Sequence, residues 1–473
     1  MEHTIIALGT PPGKGAIAVL RISGSKTSSF IINTCKRSSK ILTSPRSQVY
    51  TELGLFSEES TLISSNEIID HVLACFFPSP NSFTGEDVLE LSVHGSSLII
   101  KEILNLALSL GIKLAEPGEF TKRAFLNGKM DLLQAEAVAD IISAESKSQA
   151  RIAREQLEGK LSRSIELLRE PLLDLLAEIE AFIDFPEEDI SPETEEGWIK
   201  RINEVEERII QYLSSFTQGR ILREGASLVL AGVPNAGKSS LMNRLLGEER
   251  AIVTSLPGTT RDRIEERVEI EGILVRLSDT AGIVSGSFNR KIDLPEQLGI
   301  EKSWSSIASA DIVLFLFDPG ADYKSQSELL RDIKSSNDRI ILLVTKIDIN
   351  SDYPDILKEF ADFEIIGISS KTGEGIGDLR KRIYNSLTAF NGSSASKEGH
   401  VESALITSER HYQQLKELQS SVQSARTGIL ERHPSEYIAF EIRQGLNAVS
   451  EILGVTHVED ILDRIFSRFC IGK

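Results

Sequence analysis

The chain has 473 residues, 41% of them apolar, and a formal net charge of −18. That length predicts about three domains with material for several cores, while the acidic balance excludes a free-standing nucleic-acid binder unless a basic patch or a basic partner offsets it. Cys35, Cys75 and Cys470 make neither a disulfide framework nor a spaced zinc site, the opening stretch is too poor in apolar residues for a signal peptide, and no apolar run approaches the roughly 18 residues needed to cross a bilayer, so a cytoplasmic chain without membrane attachment is expected.

Residues 1–120 mix short β-like runs with loops. The apolar runs at 17–22 and 72–77 predict buried strands, and 88–94 alternates polar with apolar. Residues 97–110 have helical spacing, closed by Gly111. A compact α+β domain is expected here. From about Phe120 the texture turns to long helix, giving a first helical part over 121–221. Leu157, Leu161, Ile165, Leu168, Leu172, Leu175, Ile179 and Phe182 step by threes and fours in a heptad-like seam, with Pro171 inside it.

Residues 222–388 alternate strand and helix, which predicts a parallel sheet with crossover helices. The strands are expected around 227–231, 264–270, 273–279, 311–317, 339–344 and 364–369. After the polar loop 391–396, helical texture returns across 389–473. Leu415, Leu418, Val422, Ala425 and Ile429 form one stripe, and Ile438, Ile442, Leu446, Val449 and Leu453 a second. Neither helical block can bury its stripe alone. One discontinuous helical domain with the α/β domain inserted into it is expected, against the alternative of two separate bundles.

The stretch from Gly232 to Ser239 reads G-x-x-x-x-G-K-S. It follows an apolar strand-like run and opens a helix-like one, the setting of a phosphate-binding loop. There the backbone N–H groups of Asn235, Ala236, Gly237, Lys238, Ser239 and Ser240 can face phosphates at a helix N-terminus. Lys238 would reach the β- and γ-phosphates, and Ser239 would ligate magnesium. Gly258-Thr259-Thr260-Arg261-Asp262 precedes a strand, and Thr260 can place its hydroxyl on magnesium and its N–H on the γ-phosphate. Asp279-Thr280-Ala281-Gly282 ends a strand; its aspartate would hold a magnesium-bound water and its glycine would sense the γ-phosphate. Thr345-Lys346-Ile347-Asp348 follows another strand. Asp348 can accept from N1–H and the exocyclic amine of guanine, a pair adenine does not offer. Lys346 would pack along the loop, and Ser369-Ser370-Lys371 would supply a backbone contact to the guanine oxygen. Five such elements in this order predict a Ras-like GTPase domain. Two departures stand out: Thr345 replaces the usual Asn of the base motif, and Ile283 stands where signalling GTPases place a water-orienting Gln. The catalytic polar group must therefore come from elsewhere, and the following segment 294–301 is the candidate.

With GVPNAGKSS, PGTTRD and DTAGI in view, the chain resembles the MnmE (TrmE) family of tRNA modification GTPases over essentially its whole length. The opening TIIALGTPPGKGAIAVLRISG, PNSFTGEDVLELSVHG at 80–95, EPGEFTKRAFLNGKMDLLQAEAVADII at 116–142 and the terminal Cys470-Ile471-Gly472-Lys473 carry the resemblance. It implies an N-terminal folate-binding and dimerisation domain, a discontinuous helical domain, and an inserted G domain whose partner copies approach when potassium and GTP are bound. Guanine-nucleotide contacts would extend through Thr254, Ser255, Leu256, Pro257, Gly258, Thr259 and Thr260. Asn235 would ligate potassium through its side chain, Thr254 and Leu256 through backbone carbonyls, with a further contact from Thr259. Glu296 matches the family's catalytic glutamate, with Glu301 as the alternative because a short insertion precedes the segment. Arg21, Glu90, Lys129 and Lys473 match residues that contact 5-formyl- or methylene-tetrahydrofolate, Lys473 folding back from the C-terminus across the dimer. Cys470 is read either as a nucleophile of the modification chemistry or as a small apolar residue docking the terminus.

The resemblance further implies a homodimer that joins the flavoprotein MnmG in a heterotetramer. The complex would install an aminomethyl or carboxymethylaminomethyl group at C5 of the wobble uridine of certain tRNAs. A regulatory or ribosome-assembly GTPase without modification chemistry is the alternative that the G motifs alone would allow.

Overall fold

The structure, a computed structural model, describes residues 3–56, 68–184, 192–248, 266–279, 294–349, 360, 362–388, 405–455, 462, 465–467, 469, 470 and 472, with backbone alone at 192–194, 248 and 294–299. These fall into two units, Met1–Ala139 with Ser450–Lys473, and Asp140–Val449.

The first unit is built on a sheet of β1 (Ile5–Leu8), β2 (Ile17–Ser23), β3 (Val49–Leu53), β4 (Asp70–Phe77), β5 (Val88–His94) and β6 (Lys113–Leu114). Its spatial order is β3-β4-β5-β2-β1-β6, antiparallel except where β6 runs parallel to β1. The helices α1 (Thr27–Thr34), α2 (Ser38–Thr43) and α3 (Ser97–Ser109) bury Leu20, Ile22, Val72, Ala74, Leu89 and Leu91 together with Phe30 and Ile103. The runs at 17–22 and 72–77 are half-buried strands rather than the fully buried ones expected. A sheet covered on one face leaves alternate side chains on the other. Ile17 is 66% exposed and Leu73 39%. Arg21, Cys75 and Glu90 share that second face, half-exposed.

Beyond the sheet come α4 (Glu119–Leu126) and α5 (Leu132–Ser143). Phe125, Leu132 and Ala135 pack with Leu462, Phe466 and Phe469, so the C-terminal segment closes onto α4 and α5. Gly118 (φ 68°) faces the same segment: a Cβ there would stand 2.8 Å from the Phe466 carbonyl oxygen.

The second unit opens with α6 (Lys147–Leu157), α7 (Lys160–Asp184) and α8 (Pro192–Glu224). The heptad-like seam is real over Leu161, Ile165, Leu168, Leu172, Leu175 and Ile179, all buried. The expected continuous helix instead breaks at Gly159, whose φ of 75° separates α6 from α7. Ser146 and Gln149 form a capping box at the start of α6.

The α/β part follows as β7 (Ala226–Ala231), α9 (Lys238–Glu248), β8 (Glu266–Ile270), β9 (Ile273–Asp279), α10 (Leu294–Ser309), β10 (Ile312–Phe317), α11 (Tyr323–Ser336), β11 (Ile340–Val344), β12 (Glu364–Gly367) and α12 (Ile376–Thr388). The strand order is β12-β11-β10-β7-β9-β8. All pairings are parallel except β8 with β9. Cores on both faces account for the near-continuous apolar runs of β7, β10 and β11. Ile152 from α6 and Ile221 and Leu222 from α8 complete the core on one face. At the β8–β9 turn, Glu271 and Gly272 take φ of 48° and 85°. There Ser148 N donates to the Gly272 carbonyl (3.1 Å), and Arg267 pairs with Glu145.

The chain returns as α13 (Glu409–Leu430) and α14 (Ser435–Leu453). Both predicted stripes are buried. Gln423 and Arg426 on α13 donate to Glu206 on α8 (2.7 and 2.9 Å). Among the described residues no helix is long and apolar enough to cross a membrane.

Candidate functional site

The phosphate-loop motif sits where β7 meets α9, at the C-terminal edge of the parallel strands, the edge at which open α/β sheets bind ligands. Its backbone needs its glycines. Gly232 has φ 149°, and a Cβ there would stand 2.7 Å from the Leu316 carbonyl oxygen of β10. Gly237 has φ 101°, and Asn235 adopts φ 64° with its side chain exposed. The Lys238 ammonium curls into the loop and donates to the carbonyls of Gly232 (2.8 Å) and Val233 (3.2 Å). Burial pushes its pKa down, and the Asp279 carboxylate opposes that shift. Ser239 Oγ stands 3.5 Å from Asp279 Oδ2, the long edge of a hydrogen bond. A cation and a hydroxyl from the start of α9 and a carboxylate from the end of β9 therefore converge, a donor set suited to phosphate and a hard divalent metal. Ala236 is buried beneath the loop, and Ser240 is exposed in the first turn of α9.

A second cluster lies at the ends of β10 and β11. Thr345 N and Oγ1 both donate to the Phe317 carbonyl (2.8 and 3.2 Å). Lys346 takes φ 59° and its Nζ pairs with Asp318 Oδ2 at 2.6 Å. Asp348 follows, exposed. Ser369 is fully buried; its N donates to the Glu374 carbonyl and its Oγ accepts from Thr372 N. Ser370 is half-buried and Lys371 exposed beside it. Thr254, Ser255, Leu256, Pro257, Gly258, Thr259 and Thr260 lie outside the described residues, as do Thr280, Ala281 and Gly282. Glu296 falls in the first turn of α10, its side chain outside the description; Glu301, further along the same helix, is exposed.

In the first unit, Arg21 and Glu90 are cross-strand partners on β2 and β5. Arg21 Nε donates to Glu90 Oε1 at 2.8 Å. Cys75 faces Glu90 from β4, and burial, helped by the Glu90 charge, raises its thiol pKa. Lys129 Nζ donates to the Pro80 carbonyl (2.9 Å). Cys470 is exposed, and its carbonyl accepts from Gly118 N (3.4 Å). Gly472 (φ 94°) is seated on Leu8 and Gly9, and Gly9 in turn backs the Arg21 side chain. Gly472 thus docks within its own chain on residues that adjoin Arg21; Lys473 itself lies outside the described residues.

Two groups escaped the sequence reading. Asp318 follows directly on the apolar run of β10, a position that could have drawn attention to it. Arg123, 2% exposed, donates to Glu86 (3.0 Å), Glu119 (2.7 Å) and the His3 carbonyl (2.8 Å). Glu86 also accepts from Ser23 Oγ (2.7 Å), and Asn127 Nδ2 donates to the Thr84 carbonyl (2.7 Å). This network fastens α4 to the loop before β5, and it explains why charged and polar residues recur in those two sequence blocks. Among the described residues no cluster of three or more His, Cys, Asp or Glu is placed to hold a metal.

Comparison with known proteins adds independent findings. A family model described as the MnmE helical domain matches residues 132–470, and one described as the GTP-binding protein TrmE N-terminus matches residues 4–129. The tRNA modification GTPase MnmE of Thermotoga maritima is 39% identical over 99% of this chain and all of its own length. Those of Clostridioides difficile and Syntrophus aciditrophicus are 38% and 40% identical, each over 100% of both chains. Among solved structures, the G domain of the T. maritima FeoB iron transporter aligns with 34% of this chain and 98% of its own, at 28% identity and a TM-score of 0.28.

Proposed function

The chain belongs to the MnmE family of tRNA modification GTPases, and on that premise we propose that it hydrolyses GTP to drive a folate-dependent modification of tRNA. The observation that carries the reading is the meeting of Lys238, Ser239 and Asp279 at one end of the parallel sheet, with Asp348 on the loop after β11 of that sheet. Lys238 leaves the loop carbonyls for the β- and γ-phosphate oxygens, and N–H groups of 235–240 complete the cradle. Asp348 accepts the two guanine protons. Ser239 and Thr260 would hold magnesium, and Asp279 would hold it through a water. Asn235, Thr254, Leu256 and Thr259 would hold potassium. When bound, the two cations neutralise charge that develops on the phosphates. Glu296 orients the attacking water, which adds to the γ-phosphorus as the bond to the β–γ bridging oxygen breaks.

The folate one-carbon donor lies against Arg21, Glu90, Lys129 and Lys473. Support for this comes from the half-exposed Arg21–Glu90 pair and from Gly472 seated on Gly9, which backs the Arg21 side chain. A carboxylate suits the amino edge of a pterin, and cations suit a glutamyl tail. The chain works in the cytoplasm as a homodimer, joined through residues 1–120, and with MnmG as a heterotetramer that modifies C5 of the wobble uridine. In this reading 121–221 and 389–473 form one helical domain around a G domain at 222–388.

Two measurements test the proposal. GTP turnover is expected to be at least tenfold faster in potassium than in sodium at equal ionic strength, an effect of the size one added transition-state charge contact gives; equal rates remove the potassium site. Mass spectrometry of tRNA from cells lacking the chain is expected to show wobble uridine without its C5 substituent. Intact modification there, with no binding of 5-formyltetrahydrofolate by the purified chain, would favour a regulatory GTPase.

A further inference from the structure

We infer that Asp318 is a positioning residue for the nucleotide, acting through Lys346. In the usual base motif an Asn amide offers both a donor and an acceptor for tying the loop in place; Thr345 offers a single hydroxyl, and spends it on the Phe317 carbonyl. The loop is therefore moored to the end of β10 rather than held by an amide of its own. The mooring is elaborate for one residue. Asp318 is 7% exposed. Its N–H donates to Gln326 Oε1 (2.8 Å), and its carbonyl accepts from Gln326 Nε2 (3.0 Å), so an amide brackets its backbone from both sides. Its Oδ1 accepts from Gly320 N (3.0 Å), which fixes the carboxylate plane. The remaining oxygen, Oδ2, takes the Lys346 ammonium at 2.6 Å. Lys346 sits at φ 59°, a conformation costly for a residue with a Cβ and held here by its surroundings. A flexible four-carbon side chain is thus held at one place, two residues before Asp348, before any nucleotide arrives. Fixing a long side chain in advance removes an ordering cost from binding.

The inference rests on the guanine-nucleotide reading of this pocket. Its test is a double-mutant cycle on the full chain, with a fluorescent GDP analogue as probe and GTP turnover at saturation as second readout. Asp318→Asn is expected to weaken GDP binding about tenfold while turnover at saturating GTP stays within about twofold, a split that general destabilisation would not give. In a Lys346→Ala background the same change is expected to alter binding by less than about twofold, because the group it acts through is gone. An undiminished tenfold loss in that background, or unchanged binding in the single variant, overturns the inference. If Asp318→Asn does not fold, Asp318→Glu takes its place in the cycle, since it keeps the charge and moves it by one methylene. Failure of the underlying reading is distinguishable: the unaltered chain would then not bind the probe at all.

Discussion

Asp348→Asn is expected to lower affinity for GTP by about a thousandfold, roughly 4 kcal/mol, and to create affinity for xanthosine triphosphate in its place. The wild-type carboxylate presents two acceptors to two guanine protons. An Asn side chain presents one acceptor and one donor. The donor meets the guanine 2-amino group, so two donors face each other and both lose their water without a partner. Xanthine carries an oxygen at that position and restores the match. Asp348 is exposed after β11, so the substitution leaves no buried group unpaired in the free protein and stability should hold. Competition binding with GTP and XTP measures the exchange. A variant that loses GTP without gaining XTP would show that Asp348 does not face the base.

Arg123→Met is expected to destabilise the first unit by about 3–5 kcal/mol, the cost of breaking a buried ion pair from one side. Methionine keeps most of the volume, so the loss isolates the charge and its hydrogen bonds. Glu86, Glu119 and the His3 carbonyl all lose their donor together. Because the whole chain need not unfold in one step, the informative readouts are ligand-specific. Binding of 5-formyltetrahydrofolate should be lost or shifted to lower temperature, while binding of a fluorescent GDP analogue, which reports on the second unit, should be unchanged. Retention of both at the original melting temperature would mean that the network contributes little.

The sequence is legible to different degrees in the two units, for physical reasons. Strands of a parallel sheet are buried on both faces, so β7, β10 and β11 read as continuous apolar runs, and 226–231, 312–317 and 340–344 match the expected spans closely. In the first unit the same kind of run misled, because Ile17 and Leu73 are apolar yet stand on the uncovered face. No single-sequence pattern tells a two-sided strand from a one-sided strand with apolar residues on both faces. The leucine spacing through 157–182 continues unbroken past Gly159 and so predicts one helix, while the positive φ there decides the break. Nothing in the sequence marks Arg123 as buried; its burial depends on Glu86, 37 residues away in sequence. In the nucleotide pocket the motif residues were visible as letters, but the mooring by Asp318 and Gln326 is a matter of which chain ends the sheet brings side by side.

The fastening of the β8–β9 turn to α6 gives the hairpin a fulcrum. Gly272 is held by the Ser148 N–H, and Arg267 by Glu145. The two chain segments that bear Thr260 and Gly282 join the hairpin at its opposite end, through Glu266 and Asp279. Five strand residues span about 17 Å, so a shift of about 3 Å at the far end tilts the hairpin by about 10° about a pivot seated on the helix.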